Sequence, residues 1–351
     1  MIMHATKTIY FFAYALLSLL VFECLARFDD QLNHNVAFFK TYTFETIFQP
    51  APFGQTGIPG ARFSKWQMNR LGFRGPDPLQ GQRNILTFGA SETFGIPETE
   101  GKEYPRALER LLNKSGDVQR NVINIAQPGM RIGRVSYLGQ AIAMTQPEAV
   151  IIYPSPANYI GRTAPLCGKD MVPSNPSIAL ADKSRLKGKV EPLVKTLLPP
   201  DLMLVIRKLA IWSETYGHAP MAAVPEVTIS AFRADLDCVV AFALSRGVRP
   251  ILVTHATYFG KELKPEDLAM LLAWRRYYPT LANEGFLDLE RRANDVIRGI
   301  GEITKVTVVD AAETMSPGPG NFSDFVHFTD DGAERFAKLI ASGLSPTAPK
   351  D

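Results

Sequence analysis

The sequence predicts an α/β protein, a three-layer α/β/α sandwich around a doubly wound, five-stranded parallel sheet. Three observations lead to this prediction. Short apolar runs that end in glycine or polar residues recur five times after residue 81, as is typical of strands buried on both faces. Segments with apolar residues at helical spacing alternate with them. Strands that alternate with helices in this way indicate a parallel sheet with helical crossovers.

The elements follow in a regular order. The predicted strands are 84–89, 122–125, 149–153, 250–254 and 306–309. The predicted helices are 104–113, 133–144, 229–245, 287–300 and a last one after Thr329. Two connections, 161–225 and 256–285, are too long for simple crossovers and are predicted to be insertions. The first carries a basic run, for which a solvated helical face is the favoured interpretation and a lid or a patch for anionic glycans or lipid headgroups the alternative; its cations are Lys183, Arg185, Lys187, Lys189, Lys195, Arg207 and Lys208.

The N-terminus predicts an export or anchoring segment. Residues 8–22 carry no charge, follow Lys7 and end at Glu23. This length fits a signal anchor lengthened by Glu23 reaching toward the headgroups, or a signal peptide cleaved near Ala26. The anchor, oriented with its N-terminus inside, is favoured, and a buried helix of a cytosolic domain is disfavoured because the run has no polar face. We therefore expect segment 1–27 as anchor or signal peptide, a lead-in at 28–80, and one domain at 81–345.

Composition excludes several classes. Of 351 residues, 46% are hydrophobic and 21% charged, which is typical of a globular chain. A net charge of +3 and the lack of a nucleic-acid-binding motif predict no nucleic-acid partner. The three cysteines lack the spacing of zinc ligands. Outside the cytoplasm Cys167 and Cys238 are equally consistent with a disulfide and with two isolated thiols.

Polar residues follow the carboxyl ends of the predicted strands, where ligands bind in open α/β sheets. Ser91 follows the first strand, Gly129 the second and Asn158 the third. Asp324 and His327 follow the fifth after a loop. A serine, a histidine and a carboxylate can together form a nucleophilic proton relay, in which the carboxylate fixes the histidine tautomer.

The order and spacing of these residues resemble the SGNH hydrolases, also called GDSL-type esterases. G-A-S-E at 89–92 resembles the first sequence block of that family, and D-F-V-H at 324–327 resembles its last. The resemblance covers roughly residues 65–342 without the two insertions. It implies the flavodoxin-like fold of the family, Ser91 as nucleophile, and an oxyanion site of Ser91, Gly129 and Asn158. Ala90 and Glu92 depart from the G-D-S-L pattern, and the third block keeps only its asparagine.

Other assignments fit less well. The sequence lacks G-x-S-x-G, G-x-G-x-x-G after the first strand, and a P-loop. Its five histidines include no pair at helical spacing, so neither a metal nor an organic cofactor is predicted. His255 is interpreted as a structural or pocket-wall histidine, and Glu92 as an acid in the first turn of a helix. Two arginines at the start of the second helix, Arg131 and Arg134, are interpreted as solvated, with contact to an anionic substrate as the alternative.

The sequence thus predicts a membrane-anchored serine ester hydrolase. The frame N-R-L-G-F-R-G-P-D at 69–77 with G-A-S-E-T-F-G resembles membrane-tethered bacterial proteins associated with exported polysaccharides. That resemblance implies a location at the bacterial inner membrane with the catalytic domain in the periplasm, and O-acyl, chiefly O-acetyl, groups of a glycan as substrate. Two alternatives stay open: an O-acetyltransferase with the same triad, and a non-catalytic glycan-binding or assembly protein.

Overall fold

The computed structural model describes residues 2–114, 118–169 and 184–344. Its centre is a five-stranded sheet whose neighbouring strands all pair in parallel. The strands described are β1 (Phe48–Ala51), β2 (Gly54–Gly57), β3 (Arg62–Phe63), β4 (Trp66–Gln67), β5 (Arg83–Gly89), β6 (Arg120–Asn124), β7 (Ala149–Tyr153), β8 (Arg249–Val253) and β9 (Thr307–Val309). The sheet order is β6-β5-β7-β8-β9, the doubly wound order in which the chain reverses direction beside the first strand. The predicted fold class is confirmed.

Helices cover both faces of the sheet. They are α1 (Ile2–His34), α2 (Ser91–Phe94), α3 (Tyr104–Lys114), α4 (Val135–Thr145), α5 (Arg185–Leu197), α6 (Pro200–Thr215), α7 (Glu226–Ser245), α8 (Leu268–Arg275), α9 (Asn283–Thr304), α10 (Ala311–Thr314) and α11 (Asp330–Leu344). The five predicted strands and five predicted helices are all observed, with ends that differ by up to four residues. The observed ends depend on capping, which the apolar pattern does not encode. Helix α9, for example, ends where Lys305 adopts the left-handed conformation.

Two apolar cores lie on opposite faces of the sheet. Alternate residues of β5 enter different cores, with Leu86 packing toward α4, α7 and α9, and Ile85 toward α3 and α11. This alternation follows from the two-residue period of a strand. The sheet is therefore buried on both faces, and its carboxyl edge is left for polar residues.

Residues 28–34 of the predicted lead-in, 28–80, continue α1, and its later part forms two short antiparallel hairpins, β1–β2 and β3–β4. It has a small apolar core of its own that includes Ile47 and Met68, and this core also takes in Phe94 and Ala126. Phe94 ends α2, and Ala126 follows β6. The lead-in thereby packs against the loops that carry two of the predicted site residues.

The N-terminal apolar segment lies in α1. Within it Tyr10–His34 is long and apolar enough to cross a bilayer, with a mean hydropathy of 1.8, as both a membrane anchor and a signal sequence would be. Glu23 is engaged by the protein: its carboxylate accepts hydrogen bonds from the Ser184 hydroxyl and from the N–H groups of Arg185 and Leu186. The start of α5 is therefore capped by a side chain of α1.

The basic run is only partly a solvated face. Arg185 is buried and lies 3.6 Å from the Asp30 carboxylate, and Lys189 pairs with Asp29 and Asp30. The solvated interpretation is wrong for Arg185, whose buried guanidinium lies against an acidic residue of α1, whereas Lys189 is exposed and pairs with its acids at the surface. Lys183 of the same run lies outside the described residues, as do the side chains of Lys195 and Glu191.

A disulfide joins Cys167 to Cys238 across 71 residues, with a Cα–Cα distance of 6.4 Å. It connects the first insertion to α7. Cys24 is a free, exposed thiol.

Candidate active site

The turn that carries Ser91 is built by glycine and by hydrogen bonds from neighbouring strands. A Cβ atom on Gly89 would lie 2.5 Å from the Tyr153 carbonyl oxygen and 2.3 Å from the Thr93 hydroxyl, so only glycine fits. The Asn124 side-chain amide donates to the Thr93 carbonyl at 2.8 Å. Ser91 opens the single turn of α2. The chain is therefore held where β5 ends, between β6 and β7.

Asp324 and His327 form a local pair, as their spacing predicts. Asp324 Oδ2 accepts a hydrogen bond from His327 Nδ1 at 2.7 Å. Its other oxygen accepts the backbone N–H groups of Val326 and His327 at 2.9 and 2.8 Å. Three donors thus fix one carboxylate, which in turn fixes the histidine ring and keeps the proton on Nδ1.

The second ring nitrogen of His327 is the free one. His327 Nε2 is buried and has no hydrogen-bond partner among the described residues. The segment after His327 is joined to the loop after Ser91, because Asp330 accepts from the Thr99 N–H at 2.8 Å and pairs with Lys102 at 3.2 Å. An imidazole with a bonded Nδ1 and an unused Nε2 is arranged to accept a proton.

Behind Ser91 lies a buried array of three charged side chains, Glu92, His255 and Glu290, that the sequence did not predict. The Ser91 hydroxyl donates to Glu92 Oε2 at 3.1 Å and does not bond His327. Glu92 Oε1 lies 3.3 Å from His255 Nε2, and His255 Nδ1 lies 2.7 Å from Glu290 Oε2. His255, interpreted from the sequence as a structural or pocket-wall histidine, thus lies between two carboxylates that are distant along the chain, one of them from helix α9.

Glu92 is likewise more than an acid in a first helical turn, since it is 2% exposed. Burial alone would raise its pKa, but the hydrogen bond and charge of His255 outweigh burial and lower the pKa to about 2. Burial disfavours the His255 cation, yet the charges and hydrogen bonds of Glu290 and Glu92 raise its pKa to about 10. Ser91 therefore lies against a permanently ionised carboxylate.

The same charges act on His327. Burial would lower its pKa, but the hydrogen bond and charge of Asp324, with smaller contributions from Glu92 and Glu98, raise it. The pKa of Asp324 is lowered: burial opposes this, but the hydrogen bond and charge of His327 and the two backbone N–H groups together outweigh burial. Glu98 itself is buried without a hydrogen-bond partner for either oxygen among the described residues, and burial raises its pKa to about 8.

The two remaining predicted residues line a cleft of about 420 Å³ at the same edge of the sheet. Gly129 has a φ of 70°, a left-handed conformation that glycine adopts without strain. The Asn158 side-chain amide donates to the Met130 carbonyl at 3.1 Å, which joins the loops after β6 and β7. Asn158 therefore has one N–H engaged by the protein and a second N–H on the same nitrogen.

The tertiary structure thus joins Asp324 to His327 and places Gly129 with Asn158, but it directs the Ser91 hydroxyl to Glu92. The available signals for the array were the charge of Glu92 in the turn after the first strand, and two polar residues, Glu290 and Asn294, among the apolar residues of one face of the helix at 287–300. In the described ranges no cluster of three or more His, Cys, Asp or Glu residues has the arrangement of a metal site.

Comparisons with known proteins give similarities of fold only. No protein-family model and no curated protein matches the chain. A lipase/acylhydrolase from Enterococcus faecalis is 17% identical, with a TM-score of 0.44 over 75% of this chain and 95% of its own. A putative lipolytic protein of the G-D-S-L family from Desulfitobacterium hafniense is 12% identical, with a TM-score of 0.43 over 75% of this chain and 100% of its own. An acetyl xylan esterase is 12% identical, with a TM-score of 0.44 over 74% of this chain and 99% of its own. Because these TM-scores are below 0.5, the function proposed below depends on the site's own residues.

Proposed function

We propose that this protein is a serine ester hydrolase that uses Ser91 as nucleophile and the Asp324–His327 pair as its base. The observation that carries the proposal is the free, buried Nε2 of His327, whose Nδ1 is bonded to Asp324 at 2.7 Å. A serine at the carboxyl end of β5 needs such a base, since its hydroxyl is a weak nucleophile at neutral pH.

The proton and the acyl group move in two steps. Ser91 Oγ leaves Glu92, bonds the acyl carbon, and gives its proton to His327 Nε2. The bond from the acyl carbon to the leaving oxygen breaks, and His327 returns the proton to that alcohol. Water then repeats the sequence, with its proton passing to His327, and releases the acid and free Ser91. The Ser91 and Gly129 N–H groups and the second N–H of Asn158 stabilise the oxyanion.

We further propose that the substrate is an O-acyl, chiefly O-acetyl, ester on a cell-surface or exported glycan. The resemblance of the 69–95 frame to membrane-tethered proteins of exported polysaccharides supports this substrate. The Cys167–Cys238 disulfide supports a location outside the reducing cytoplasm. The contacts of Glu23 and Asp30 with α5 support retention of α1 as an uncleaved anchor in the inner membrane.

The decisive experiment is covalent labelling with a fluorophosphonate, followed by mass spectrometry of the modified residue. We expect the label on Ser91, no labelling of Ser91→Ala, and unchanged labelling of Ser342→Ala, a control on the exposed face of α11. Hydrolysis of a small aryl acetate is expected to fall about a thousandfold or more in Ser91→Ala and in His327→Asn. Equal rates in wild type and Ser91→Ala would refute the proposal and favour a non-catalytic glycan-binding role.

Product analysis separates hydrolysis from transfer. With an acetyl donor and a glycan acceptor, a hydrolase releases acetate and leaves the acceptor unchanged. Acetylated acceptor that depends on Ser91 would instead identify an O-acetyltransferase with the same triad.

A further inference from the structure

The cleft that contains Gly129 and Asn158 is strongly basic. Its walls come from the β1–β2 hairpin, the loops after β6 and β7, and Tyr278 of the second insertion. Three arginines line it, Arg131, Arg134 and Arg162, and among the described residues no aspartate or glutamate does. Its volume of about 420 Å³ lies in the range of small-ligand sites.

Arg134 is the buried member of this group. It is 8% exposed, and it donates to Gln127 Oε1 at 2.7 Å and to the carbonyl oxygens of Phe53 and Gln55 at 3.0 and 2.7 Å. These acceptors are all neutral, and its Nε atom has no partner among the described residues. The expectation of a solvated arginine is wrong here. A buried cation with neutral acceptors only is costly and favours an anion in the adjacent space.

Arg131 and Arg162 extend the charge toward the opening. Arg131 donates to the Ala164 carbonyl at 3.2 Å and lies over the Tyr159 ring at 5.6 Å, while Arg162 is exposed. In the described part of the chain no carboxylate lies within 4.0 Å of any of the three arginines, unlike many of the arginines on the rest of the surface.

Asp235 and Glu92, two acids named above or packed against the cleft loops, make their hydrogen bonds to other groups than the three arginines. Asp235 bonds the Tyr159 hydroxyl and the N–H groups of Leu166 and Cys167, so its oxygens are already used. Glu92 is held by His255 behind Ser91. The charge of the three guanidinium groups therefore remains available to a ligand.

We propose that this cleft binds a carboxylate on the alcohol part of the ester, so that the substrate is an acidic, carboxylate-bearing glycan ester. This inference rests on the proposed function and deepens it. Planar guanidinium groups bind carboxylates through paired hydrogen bonds. A carboxylate bound by Arg131 and Arg162 lies in the same cleft as Gly129 and Asn158, and this brings the ester group of the same sugar unit to the oxyanion donors.

A pair of matched esters tests the charge preference. We compare 4-acetoxybenzoate with the neutral 4-acetoxybenzamide and normalise each kcat/KM to spontaneous alkaline hydrolysis. Wild type is expected to favour the anion about tenfold or more, and Arg131→Gln and Arg162→Gln each to reduce that ratio several-fold. The preference should also decrease as salt is added. Arg291→Gln removes the same charge from the exposed face of α9, outside the cleft, and is expected to keep the wild-type ratio.

A binding measurement separates this inference from the proposed reaction. Calorimetry on Ser91→Ala is expected to detect trigalacturonate, which carries carboxylates, but not maltotriose, and the trigalacturonate affinity should fall when Arg131 or Arg162 is also replaced. A wild-type ratio near one, or a ratio that the cleft variants leave unchanged, overturns the inference even where Ser91 is labelled by the fluorophosphonate. Arginine-dependent binding in a protein whose Ser91 resists labelling would instead refute the esterase and retain the anion site.

Discussion

At the scale of single residues, the two histidines of the site have opposite surroundings. His327 has one carboxylate on Nδ1 and leaves Nε2 free, whereas His255 has a carboxylate on each ring nitrogen. A histidine that bonds two carboxylates is held as a cation and cannot accept a further proton. This difference supports the proposed role of His327 as the base, and it gives Glu92 a negative charge beside Ser91 at neutral pH.

Glu92→Gln should therefore change the pH dependence of hydrolysis. The active form of His327 is neutral, so kcat/KM rises as the pH increases through its pKa. The three acids that act on His327 are Asp324, Glu92 and Glu98. Asp324 and Glu98 are kept in the variant, so Glu92→Gln removes the charge of Glu92 alone. Since that charge raises the pKa of His327, the acidic limb should move to lower pH.

The pH–rate profile of an aryl acetate measures this shift. Glutamine still offers an oxygen to the Ser91 hydroxyl, so a shift of the acidic limb along the pH axis results from the lost charge of Glu92 and not from a lost hydrogen bond. Glu313→Gln, an exposed position paired with Lys261, is the control and should keep the wild-type limb. If the acidic limb of Glu92→Gln lies at the same pH as that of wild type, the charge of Glu92 does not raise the pKa of His327.

Asn158 gives a second prediction at this scale. Loss of one oxyanion donor typically lowers the rate about a hundredfold, so Asn158→Ala should lower kcat by about that factor with little change in KM. The thermal midpoint serves as the control, because the side chain also bonds the Met130 carbonyl. A rate within a few-fold of wild type together with a lower midpoint would restrict Asn158 to joining the two loops.

At the scale of elements, acidic residues of α1 organise the start of α5. Glu23 accepts the first N–H groups of α5, and Asp29 and Asp30 bind its cations. The carboxylate at the helix start fulfils the function of an N-cap residue and also complements the helix dipole. Helix α1 and the first insertion are thereby coupled by polar contacts.

Glu23→Gln should loosen this coupling. A lost cap is worth about 1 kcal/mol, so backbone hydrogen exchange in the first turn of α5 should accelerate about fivefold. Hydrogen-exchange mass spectrometry of the peptide around 184–190 measures it. Asp29→Asn, which removes a partner of Lys189 but touches no N–H of α5, should change this exchange less. Equal exchange in wild type and Glu23→Gln would contradict the cap.

The disulfide is the second coupling between elements. It closes a loop of 71 residues, for which chain entropy predicts a stabilisation of about 4 kcal/mol. Cys167→Ser with Cys238→Ser should therefore lower the denaturation midpoint, and a reductant should do the same to wild type. Cys24→Ser, at the free thiol, is expected to keep the wild-type midpoint. A midpoint insensitive to both treatments would show that the bond does not constrain the unfolded chain.

At the scale of the whole molecule, the site is formed where the lead-in, the sheet edge and the C-terminal segment meet. Burial there has a cost, which Glu98 illustrates. Its two oxygens are buried without partners in the described chain, and its pKa is about 8 instead of the ordinary 4.5. The folded protein keeps a proton that the unfolded chain releases between these two pH values.

Stability should therefore fall as the pH rises from about 4.5 to 8, with a contribution from Glu98 of about 1.4 kcal/mol per pH unit in that window. Glu98→Gln removes this contribution, so we expect a higher thermal midpoint at pH 8 and a flatter dependence on pH. Glu100→Gln, exposed in the same loop and paired with Arg62, should follow wild type. If the thermal midpoints of Glu98→Gln and wild type depend on pH in the same way, Glu98 is ionised in the folded protein.

The sequence by itself determined the parallel sheet, its helices and the Asp324–His327 pair, because apolar periodicity and a three-residue spacing are local properties. The close contact of β5 and β7 at Gly89 and the disulfide depended on tertiary structure. So did the partners of His255, since Glu92 and Glu290 are 163 and 35 residues away along the chain. Arg134 was predicted to be solvated because its acceptors are also distant along the chain: the carbonyl groups of Phe53 and Gln55 lie in a hairpin about 80 residues earlier. Contacts at such separations are chosen by the packing of the whole chain, and packing gave the predicted nucleophile its neighbouring charge and the cleft its three cations.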